Sequence, residues 1–407
     1  MKTILISAYA CEPDKGSEPG VGWNWAKHLA KKNRVIVITR KNNRTIIEKE
    51  LQDNPCENIE FYYCDVSPKL TFWKKGQRGL HLYYYLWQVE NYKLAKKIMA
   101  KKNVDIAMCI TFGNMWLPTF MYKLPCKFIW GPIGGGEGIP QQLWINLNTK
   151  QRLLELIRIF NRHIPISNLW FRTICKNSDL IIVRTNDSLN VIPKNYRDKC
   201  KIMIETGVSQ QECALLNSKM KNATIKYDFI FMGRLISLKM IDIAIKAFSI
   251  IAKEDKHITF HIVGDGECKT QLKNLIKELN LEERIILHGN KTRDEALEML
   301  MASKYFLFPS AKEGGAWVLF EAMMCSKPVI CFDTSGMSMI VSNETGIKIP
   351  IESYENSILN FANAMRYLIN NTEYAEKMGR CGYQRVLSEF EWQSKANFIN
   401  RIIDNLN

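Results

Sequence analysis

The sequence lacks the marks of several protein classes. Its 407 residues include twelve cysteines but no C-x-x-C pair and no regular cysteine framework, which predicts reduced thiols in a cytosolic protein. The longest run without a charged residue, 106–122, has 17 residues and contains Gly113 and Pro118, so it is too short and too interrupted to span a bilayer. The opening MKTILISAYAC makes a poor signal peptide, because a glycine-rich turn follows it at once.

Acidic residues are scarce in the first half of the chain. Residues 1–200 hold 31 Lys and Arg against 16 Asp and Glu, whereas residues 201–407 hold 25 of each, so the net charge of +15 belongs to the first half. A basic half suggests an anionic partner such as nucleic acid, a phosphorylated ligand or a membrane surface. A lysine-rich solvated surface explains the same excess, and no helix-turn-helix, zinc-finger or RRM signature supports nucleic acid.

Short apolar runs alternate with amphipathic stretches along both halves. TILISAY (3–9) and KYFLFPS (304–310) are typical of buried strands, and GWNWAKHLAKK (22–32) of a helix. Strands that alternate with helices imply parallel, doubly wound sheets, and the pattern occurs twice. The sequence therefore predicts an α/β protein with two Rossmann-like domains, followed by a helix. The predicted boundaries are 1–197 for the first domain, 198–390 for the second and 391–407 for the final helix.

Ligands of parallel sheets bind beyond the carboxyl ends of the strands, so motifs from both domains are expected to face one central cleft. After a strand of the second domain, FMGRLISLKM (231–240) carries Gly233, Arg234 and Lys239. The planar fork of an arginine and the point charge of a lysine suit a diphosphate there. Two solvent-exposed cations on a loop are the alternative.

The most informative motif joins a strand-end loop to a helix: AKEGGAWVLFEAM (311–323). Glu313 lies in the loop, Gly314 and Gly315 expose backbone N–H groups, and the positive end of a helix begins near Ala316. Glu321 lies about one and a half turns inside that helix. The pair fits a glycosidase acid and base, or acceptors for sugar hydroxyls, or a helix-terminal acid plus a surface glutamate.

Three other strand-end loops are rich in glycine: HIVGDGE (261–267), GSEPGVGWNWA (16–26) and GPIGGGEGIP (131–140). Gly264, Gly20 and Gly22 are candidates for close approach of the backbone to a ligand. Gly135 and Glu137 are candidates for the lining of the cleft. The first-domain loop is not a dinucleotide fingerprint, because its glycines run GxxxGxG and no acidic residue ends the second strand.

Together these motifs resemble the retaining glycosyltransferases of family 4, which have the two-domain GT-B fold. The likeness covers nearly the whole chain and is densest in the second half, while the first-half loops are similar to those of one bacterial subgroup. The resemblance implies a hexosyltransferase in polysaccharide biosynthesis that moves a sugar from a nucleotide-sugar donor to a glycan acceptor. It also implies that the final helix packs back on the first domain.

The resemblance implies a role for each motif. Arg234 and Lys239 would hold the diphosphate, Glu313 would sit beside the donor sugar, and Glu321 would accept hydrogen bonds from the ribose. The residues assigned to catalysis are Glu313, Arg234 and Lys239. Those assigned to donor binding are Gly20, Gly22, Gly233, Gly264, Gly314, Gly315, Ala316 and Glu321. Those assigned to the acceptor side are Gly135 and Glu137.

The expected mechanism needs no metal and no cofactor. No D-x-D triplet occurs in the chain, so fixed cations would stabilise the departing diphosphate. Retention would follow from same-face attack, with a phosphate oxygen taking the acceptor's proton. The chain departs from the family at three places. Cys109 to Thr111 stand where many members have a histidine, and Met240 and Ala316 each stand where a glycine is common.

The acceptor is expected to be lipid-linked. Segment 71–97 combines Lys74, Lys75 and Arg78 with clustered aromatic residues, a composition that suits peripheral contact with an anionic membrane at its cytoplasmic face. An aromatic helix that packs into its own domain is the alternative. Two other functions stay open: another GT-B sugar-nucleotide enzyme of the epimerase type, and a non-catalytic module that binds glycans or nucleotides.

Overall fold

A computed structural model describes residues 1–74, 76, 78–147, 149–163 and 165–406. The chain divides into two compact units. Unit 1 comprises Met1–Gly136, Phe160–Gly207 and Trp392–Asn407, and unit 2 comprises Glu137–Ile159 and Val208–Glu391. The assignment of the acceptor to the first domain and of the donor to the second stays a prediction.

Strands and helices alternate through both units. The strands are β1 (Thr3–Ser7), β2 (Arg34–Arg40), β3 (Ile59–Cys64), β4 (Ile106–Cys109), β5 (Lys127–Ile133), β6 (Leu180–Val183), β7 (Cys200–Ile202), β8 (Tyr227–Met232), β9 (Phe260–Val263), β10 (Ile285–Gly289), β11 (Ser303–Phe308), β12 (Val329–Phe332) and β13 (Gly346–Ile349). The helices are α1 (Ser17–Leu29), α2 (Arg44–Asp53), α3 (Leu80–Met99), α4 (Thr149–His163), α5 (Pro165–Asn177), α6 (Asn186–Val191), α7 (Gln210–Met220), α8 (Ile241–Ile251), α9 (Lys269–Glu278), α10 (Arg293–Met301), α11 (Trp317–Met324), α12 (Ser335–Ile340), α13 (Tyr354–Asn370), α14 (Thr372–Glu389) and α15 (Trp392–Asn405).

Unit 1 is built on a parallel sheet with the strand order β3-β2-β1-β4-β5-β6-β7. Strand β1 pairs with β2 in the register Thr3↔Arg34 and with β4 in the register Ile4↔Ile106. Helices cover both faces of such a sheet, so its central strands bury side chains on both sides and read as continuous apolar runs. The run from Ile4 to Ile6 is accordingly inaccessible to solvent.

Unit 2 repeats this plan with a parallel sheet in the order β10-β9-β8-β11-β12-β13. Its strands are short and rich in aromatic and branched residues, and Phe229, Phe231, Phe306 and Phe308 are fully buried between the sheet and its helices. The two doubly wound parallel sheets confirm the predicted α/β class. In each unit the strand order reverses once, between β1 and β4 and between β8 and β11, and ligands of open α/β sheets bind beside such a reversal.

The C-terminal helix α15 is part of unit 1. Trp392 packs against Trp25 of α1 with ring centroids 6.0 Å apart, and both indoles are buried. The buried Lys395 donates hydrogen bonds to the backbone oxygens of Ile204 and Thr206, the latter at 2.5 Å. The C-terminal helix therefore completes the core of unit 1, although most of that unit comes from the first half of the sequence.

Two further expectations concern the molecule as a whole. All twelve cysteines are free thiols, as their irregular spacing predicts. Among the described helices, none combines the length and the hydropathy that a bilayer crossing requires.

Candidate functional site

The loop that follows β8 carries the first predicted ligand residues. Gly233 directly follows the strand and has φ 149°, a left-handed value that favours glycine. A Cβ atom at Gly264, which follows β9, would lie 1.9 Å from the Gly233 carbonyl oxygen. Gly264 therefore lets these two strand-end loops touch through their backbones. Arg234 follows Gly233 and is exposed on the surface of unit 2.

Lys239 ends a short 3-10 turn, Ser237–Lys239, ahead of α8. Met240 caps α8 with φ 44° and ψ 40°, a left-handed conformation that glycine adopts without strain. This conformation explains why a glycine is common at the position that Met240 occupies. The Met240 side chain is buried, and hydrophobic burial offsets part of the backbone strain.

Lys239 and Glu313 meet where β8 and β11 end. Their ammonium and carboxylate groups form an ion pair, and the Ser310 hydroxyl donates to the same Glu313 Oε1 at 3.0 Å. The Lys239 Nζ also lies 4.6 Å from the centre of the Phe308 ring, in a cation–π contact. The topology therefore brings together a cation and an acid that are 74 residues apart in sequence.

The loop after Glu313 is anchored to the start of α12. The N–H of Gly336 donates to the Glu313 carbonyl at 2.9 Å, and a Cβ atom at Gly336 would lie 1.6 Å from the Gly314 oxygen. Gly315 continues the loop to Ala316, the N-cap of α11, which has no side-chain cap. The amide groups of the first turn of α11 therefore point toward the strand-end edge, where a helix favours negative charge.

Glu321 lies inside α11 and is 7% exposed. Its Oε1 accepts from the Arg293 Nε at 2.9 Å, and Arg293 also pairs with Glu212 of α7. Burial raises the pKa of Glu321, and the Arg293 guanidinium opposes that shift. Neither Arg293 nor Glu212 stands out in the sequence, because no local motif connects α7, α10 and α11.

The glycines of the first predicted loop have structural roles in unit 1. Gly20 and Gly22 are buried within α1. A Cβ atom at Gly20 would lie 1.8 Å from the Lys15 oxygen, and one at Gly22 would lie 2.1 Å from the Ala10 oxygen. Both residues therefore let α1 pack closely against the loop that follows β1. Their predicted approach to the donor phosphates stays a prediction.

A cavity of about 260 Å³ opens in unit 1 beyond the ends of β4 and β5. Its wall includes Gly135, a residue predicted for the acceptor side, which has φ 118°. The wall also includes Glu18, His81 and Arg184, which belong to none of the predicted sets of site residues. These three residues come from α1, α3 and the segment after β6. Only the fold brings them together around one cavity.

Arg184 organises the charges of this cavity. Its guanidinium lies 3.3 Å from a carboxylate oxygen of Glu18 and 3.3 Å from one of Glu205. Glu18 also accepts from the backbone N–H of Gly113 at 3.3 Å. The other predicted acceptor-side residue, Glu137, is buried and belongs to unit 2.

The two sets of residues suit polar ligands. Lys239 and the first turn of α11 offer positive charge to an anion, and Glu313 offers a carboxylate to neighbouring hydroxyl groups. The cavity of unit 1 combines a cation with a carboxylate and an imidazole at a scale that fits a sugar ring. Within the described parts of the chain, no group of three or more His, Cys, Asp or Glu side chains is placed to hold a metal ion.

Sequence comparisons connect this arrangement to known proteins. Residues 217–385 match the family described as glycosyl transferases group 1. An uncharacterized glycosyltransferase of Methanocaldococcus jannaschii is 27% identical over 238 residues, which are 58% of this chain and 62% of that protein. The N-acetylgalactosamine-N,N'-diacetylbacillosaminyl-diphospho-undecaprenol 4-alpha-N-acetylgalactosaminyltransferase of Campylobacter jejuni is 28% identical over 187 residues, 44% of this chain and 49% of that enzyme. The chain thus spans less than two thirds of these curated relatives.

Solved structures extend the likeness to the whole chain at the level of the fold. The sucrose-phosphate synthase of Thermosynechococcus elongatus matches with a TM-score of 0.66 and 16% identity, covering 100% of this chain and 99% of that one. The shared fold is GT-B, which confirms the predicted fold class. The match to the glycosyl transferases group 1 lies within the second unit, between residues 217 and 385.

Proposed function

We propose that this protein is a retaining glycosyltransferase of family 4, of hexosyltransferase type, that moves a sugar from a nucleoside-diphosphate donor to a lipid-linked glycan in bacterial surface-polysaccharide biosynthesis. One observation carries the proposal. The Lys239–Glu313 pair lies at the β8/β11 strand reversal of a domain that matches the group 1 glycosyltransferases. The relative from Campylobacter jejuni, whose name specifies a diphospho-undecaprenol acceptor, supports the lipid-linked class. The reaction would take place in the cytoplasm.

Charge development accounts for the catalytic roles. As the sugar–phosphate bond breaks, negative charge builds on the diphosphate and positive charge on the sugar. The Lys239 ammonium would stabilise the diphosphate, and the exposed Arg234 in the same loop would close over the phosphates. Glu313 would orient the sugar through its hydroxyl groups, together with the backbone amides of Gly314 and Gly315. The positive end of α11 adds to the same field.

Retention of configuration follows from attack on the same face of the sugar. The acceptor hydroxyl would approach beside the departing phosphate, and a phosphate oxygen would take its proton, so no covalent nucleophile is required. The fixed cations would make a divalent metal unnecessary for leaving-group stabilisation. Glu321, held by Arg293, would accept hydrogen bonds from the ribose through its second carboxylate oxygen.

The acceptor would bind in the cavity of unit 1. Gly135 there leaves room above Asn114 and Trp116, and His81 and Arg184 supply polar contacts for sugar hydroxyls. His81 lines the cavity together with Phe112 and Gly113, which follow the position where many members of the family have a histidine. It is therefore our candidate for the polar group that replaces that histidine.

The first experiment identifies the donor. Thermal-shift measurements with UDP, GDP, ADP and their sugar conjugates are expected to raise the unfolding temperature for one nucleotide, since a ligand that binds only the native state stabilises it. Turnover is then measured with that donor, and the anomeric configuration of the product is determined by NMR. An inverted product would contradict the retaining mechanism.

The second experiment tests the site. Lys239→Ala and Glu313→Gln are each expected to lower turnover by about 10²- to 10³-fold, the range for losing a preorganised charge contact in the transition state. Lys256→Ala and Glu355→Gln change exposed residues of the same unit and serve as matched controls that retain turnover. If both site variants keep wild-type turnover, the assignment of the site is wrong.

A further inference from the structure

Helix α4 exposes large apolar side chains to an unusual degree. Their exposed fractions are 57% for Leu153, 46% for Leu154, 52% for Leu156, 45% for Ile157 and 67% for Phe160. We call these five side chains the α4 apolar face. Soluble proteins seldom leave so many neighbouring apolar residues in water, and such a patch usually marks an interaction surface.

The side of α4 that contacts protein is the polar one. Gln151, Glu155 and Ile159 form the covered stripe, one turn apart. Gln151 donates to the Ser237 hydroxyl, and the buried Glu155 accepts from the backbone N–H of Ile139 at 3.4 Å. A surface helix normally turns its apolar stripe inward, so α4 has the reverse orientation.

Basic residues border the exposed face. At about 100° per residue, the α4 apolar face spans an arc of roughly 160°. Arg152 and Arg158 lie on its two edges, and the exposed Lys150 lies at its N-terminal end. Glu155 is the one acid of α4, and it points to the opposite side and pairs with Arg158. The outward surface therefore combines apolar side chains with the charges of Lys150 and Arg152, while Glu155 neutralises Arg158.

We infer that α4 is an interfacial helix that docks this protein on an anionic membrane. A helix of this design lies in the plane of the bilayer surface, with apolar side chains among the acyl chains and basic residues against anionic headgroups. The charge complementarity comes from Lys150 and Arg152, in a chain whose first half carries the whole +15 excess. The docking helix would hold the enzyme at the surface that presents a lipid-linked acceptor, and in this respect the inference rests on the proposed function.

The inference moves the membrane contact away from segment 71–97. Tyr83, Tyr84 and Trp87 of that segment are buried in the core of unit 1, so its aromatic residues serve packing, and Lys75 lies outside the described residues. Among its described large apolar side chains this region exposes three, Leu70, Phe72 and Leu82, against the five of the α4 apolar face.

The test uses the full chain and vesicles of phosphatidylcholine, with and without phosphatidylglycerol. Wild-type protein is expected to sediment with the anionic vesicles at low salt and less at high salt. The triple variant L153Q/I157Q/F160Q is expected to lower vesicle binding by at least about tenfold, because it removes the apolar anchor. The double variant K150Q/R152Q is expected to lose the preference for anionic vesicles.

The controls separate docking from folding and from catalysis. L215Q/L359Q replaces two leucines of unit 2 that are 54% and 52% exposed, and it is expected to bind vesicles like wild type. Thermal unfolding confirms that each variant folds. Turnover with a water-soluble acceptor is expected to be unchanged in the triple variant. Vesicle binding without any turnover would contradict the proposed function alone.

Three results would overturn the docking role. The first is wild-type protein that does not bind anionic vesicles at low salt. The second is a triple variant that binds vesicles as well as wild type does. This includes the case in which only changes at Leu70, Phe72 and Leu82 reduce binding. The third is sedimentation velocity that shows a wild-type dimer, dissociated by the triple change, without vesicle binding, because a second copy of the chain would then cover the α4 apolar face.

Discussion

At the scale of single residues, Glu321 depends on one guanidinium. The carboxylate is buried, and Arg293 holds it while also binding Glu212 from another helix. A buried carboxylate that loses its partner is costly, whereas the pair together is close to neutral in free energy. Arg293 is therefore a positioning residue for the predicted ribose contact.

Replacing Arg293 tests this dependence. Arg293→Ala is expected to lower the free energy of unfolding by about 1–3 kcal/mol, a range that allows for the partial exposure of the arginine. Because Arg293 restrains the burial-driven rise in the pKa of Glu321, the variant raises that pKa further. At low pH Glu321 is protonated in both the folded and the unfolded state, so no charge is buried. The loss in free energy of unfolding caused by Arg293→Ala should therefore grow as the pH rises above about 4.5. Urea denaturation at several pH values measures it, and the double variant with Glu321→Gln should recover most of the loss.

Lys395 is a second residue whose burial has a measurable consequence. Burial lowers its pKa to about 7, although nearby Glu205 opposes the shift. The unfolded chain binds more protons than the folded one between this value and the ordinary lysine pKa of about 10.5, so stability should rise with pH across that window. Below about pH 7 the penalty is complete and constant.

A methionine at this position removes the titration. From pH 7 to about pH 9, the free energy of unfolding of the wild type is expected to rise by about 2 kcal/mol relative to that of Lys395→Met. Urea denaturation of both proteins at the two pH values gives the difference. The exposed Lys31→Met should follow the wild type, and a Lys395→Met protein with the wild-type pH dependence would refute the assignment.

At the scale of elements, glycines let strand-end loops approach one another. Gly264 brings the loop after β9 against the Gly233 carbonyl, and Gly336 brings α12 against the Gly314 carbonyl. Both contacts support loops that carry predicted donor residues. The sequence marked Gly233, Gly264 and Gly314 through their motifs, but the neighbour that each one touches depends on the order of strands in the sheet.

Gly264→Ala is expected to displace the loop that holds Arg234. The added methyl group would overlap the Gly233 oxygen, and φ 137° is itself strained for alanine, so we expect a loss of stability of about 1–3 kcal/mol and weaker donor binding. Thermal unfolding and nucleotide titration measure the two effects. Gly16→Ala is the matched control, because the added Cβ atom would meet no neighbouring atom and the backbone of Gly16 has an ordinary φ of −76°. Equal behaviour of the two variants would show that the contact is unimportant.

At the scale of the whole molecule, a segment from the C-terminal end of the sequence completes unit 1. The segment from Trp392 onward returns to it after the whole of unit 2 has been traversed. Burial of Trp392 against Trp25 then links the last helix of the chain to the first. The stability of unit 1 should therefore depend on residues that a truncation at the end of unit 2 would remove.

Trp392→Ala is expected to destabilise unit 1 by about 3–5 kcal/mol, the usual cost of deleting a buried indole. Hydrogen–deuterium exchange should become faster in β1 and α1 while the β8 and α8 peptides keep their protection. Tyr374→Ala, at a residue 43% exposed on α14, is the control that should alter neither set. Uniform acceleration in both units would contradict the division into independently packed units.

The sequence by itself determined the elements and the strand-end motifs, because apolar periodicity and glycine-rich turns are local properties of the chain. It thereby predicted the doubly wound α/β class, and it selected Lys239 and Glu313, which the fold places in contact. Their catalytic roles remain proposals.

Only the tertiary structure decided which distant groups pair and which helix face is left open. Arg293 finds Glu321 and Glu212, and Arg184 finds Glu18 and Glu205, because strand order brings their elements together. The sequence of α4 predicts an amphipathic helix, but the sequence pattern does not indicate that its polar stripe is the covered one. That outcome depends on the hydrogen-bond partners that the rest of the fold offers to Glu155 and Gln151.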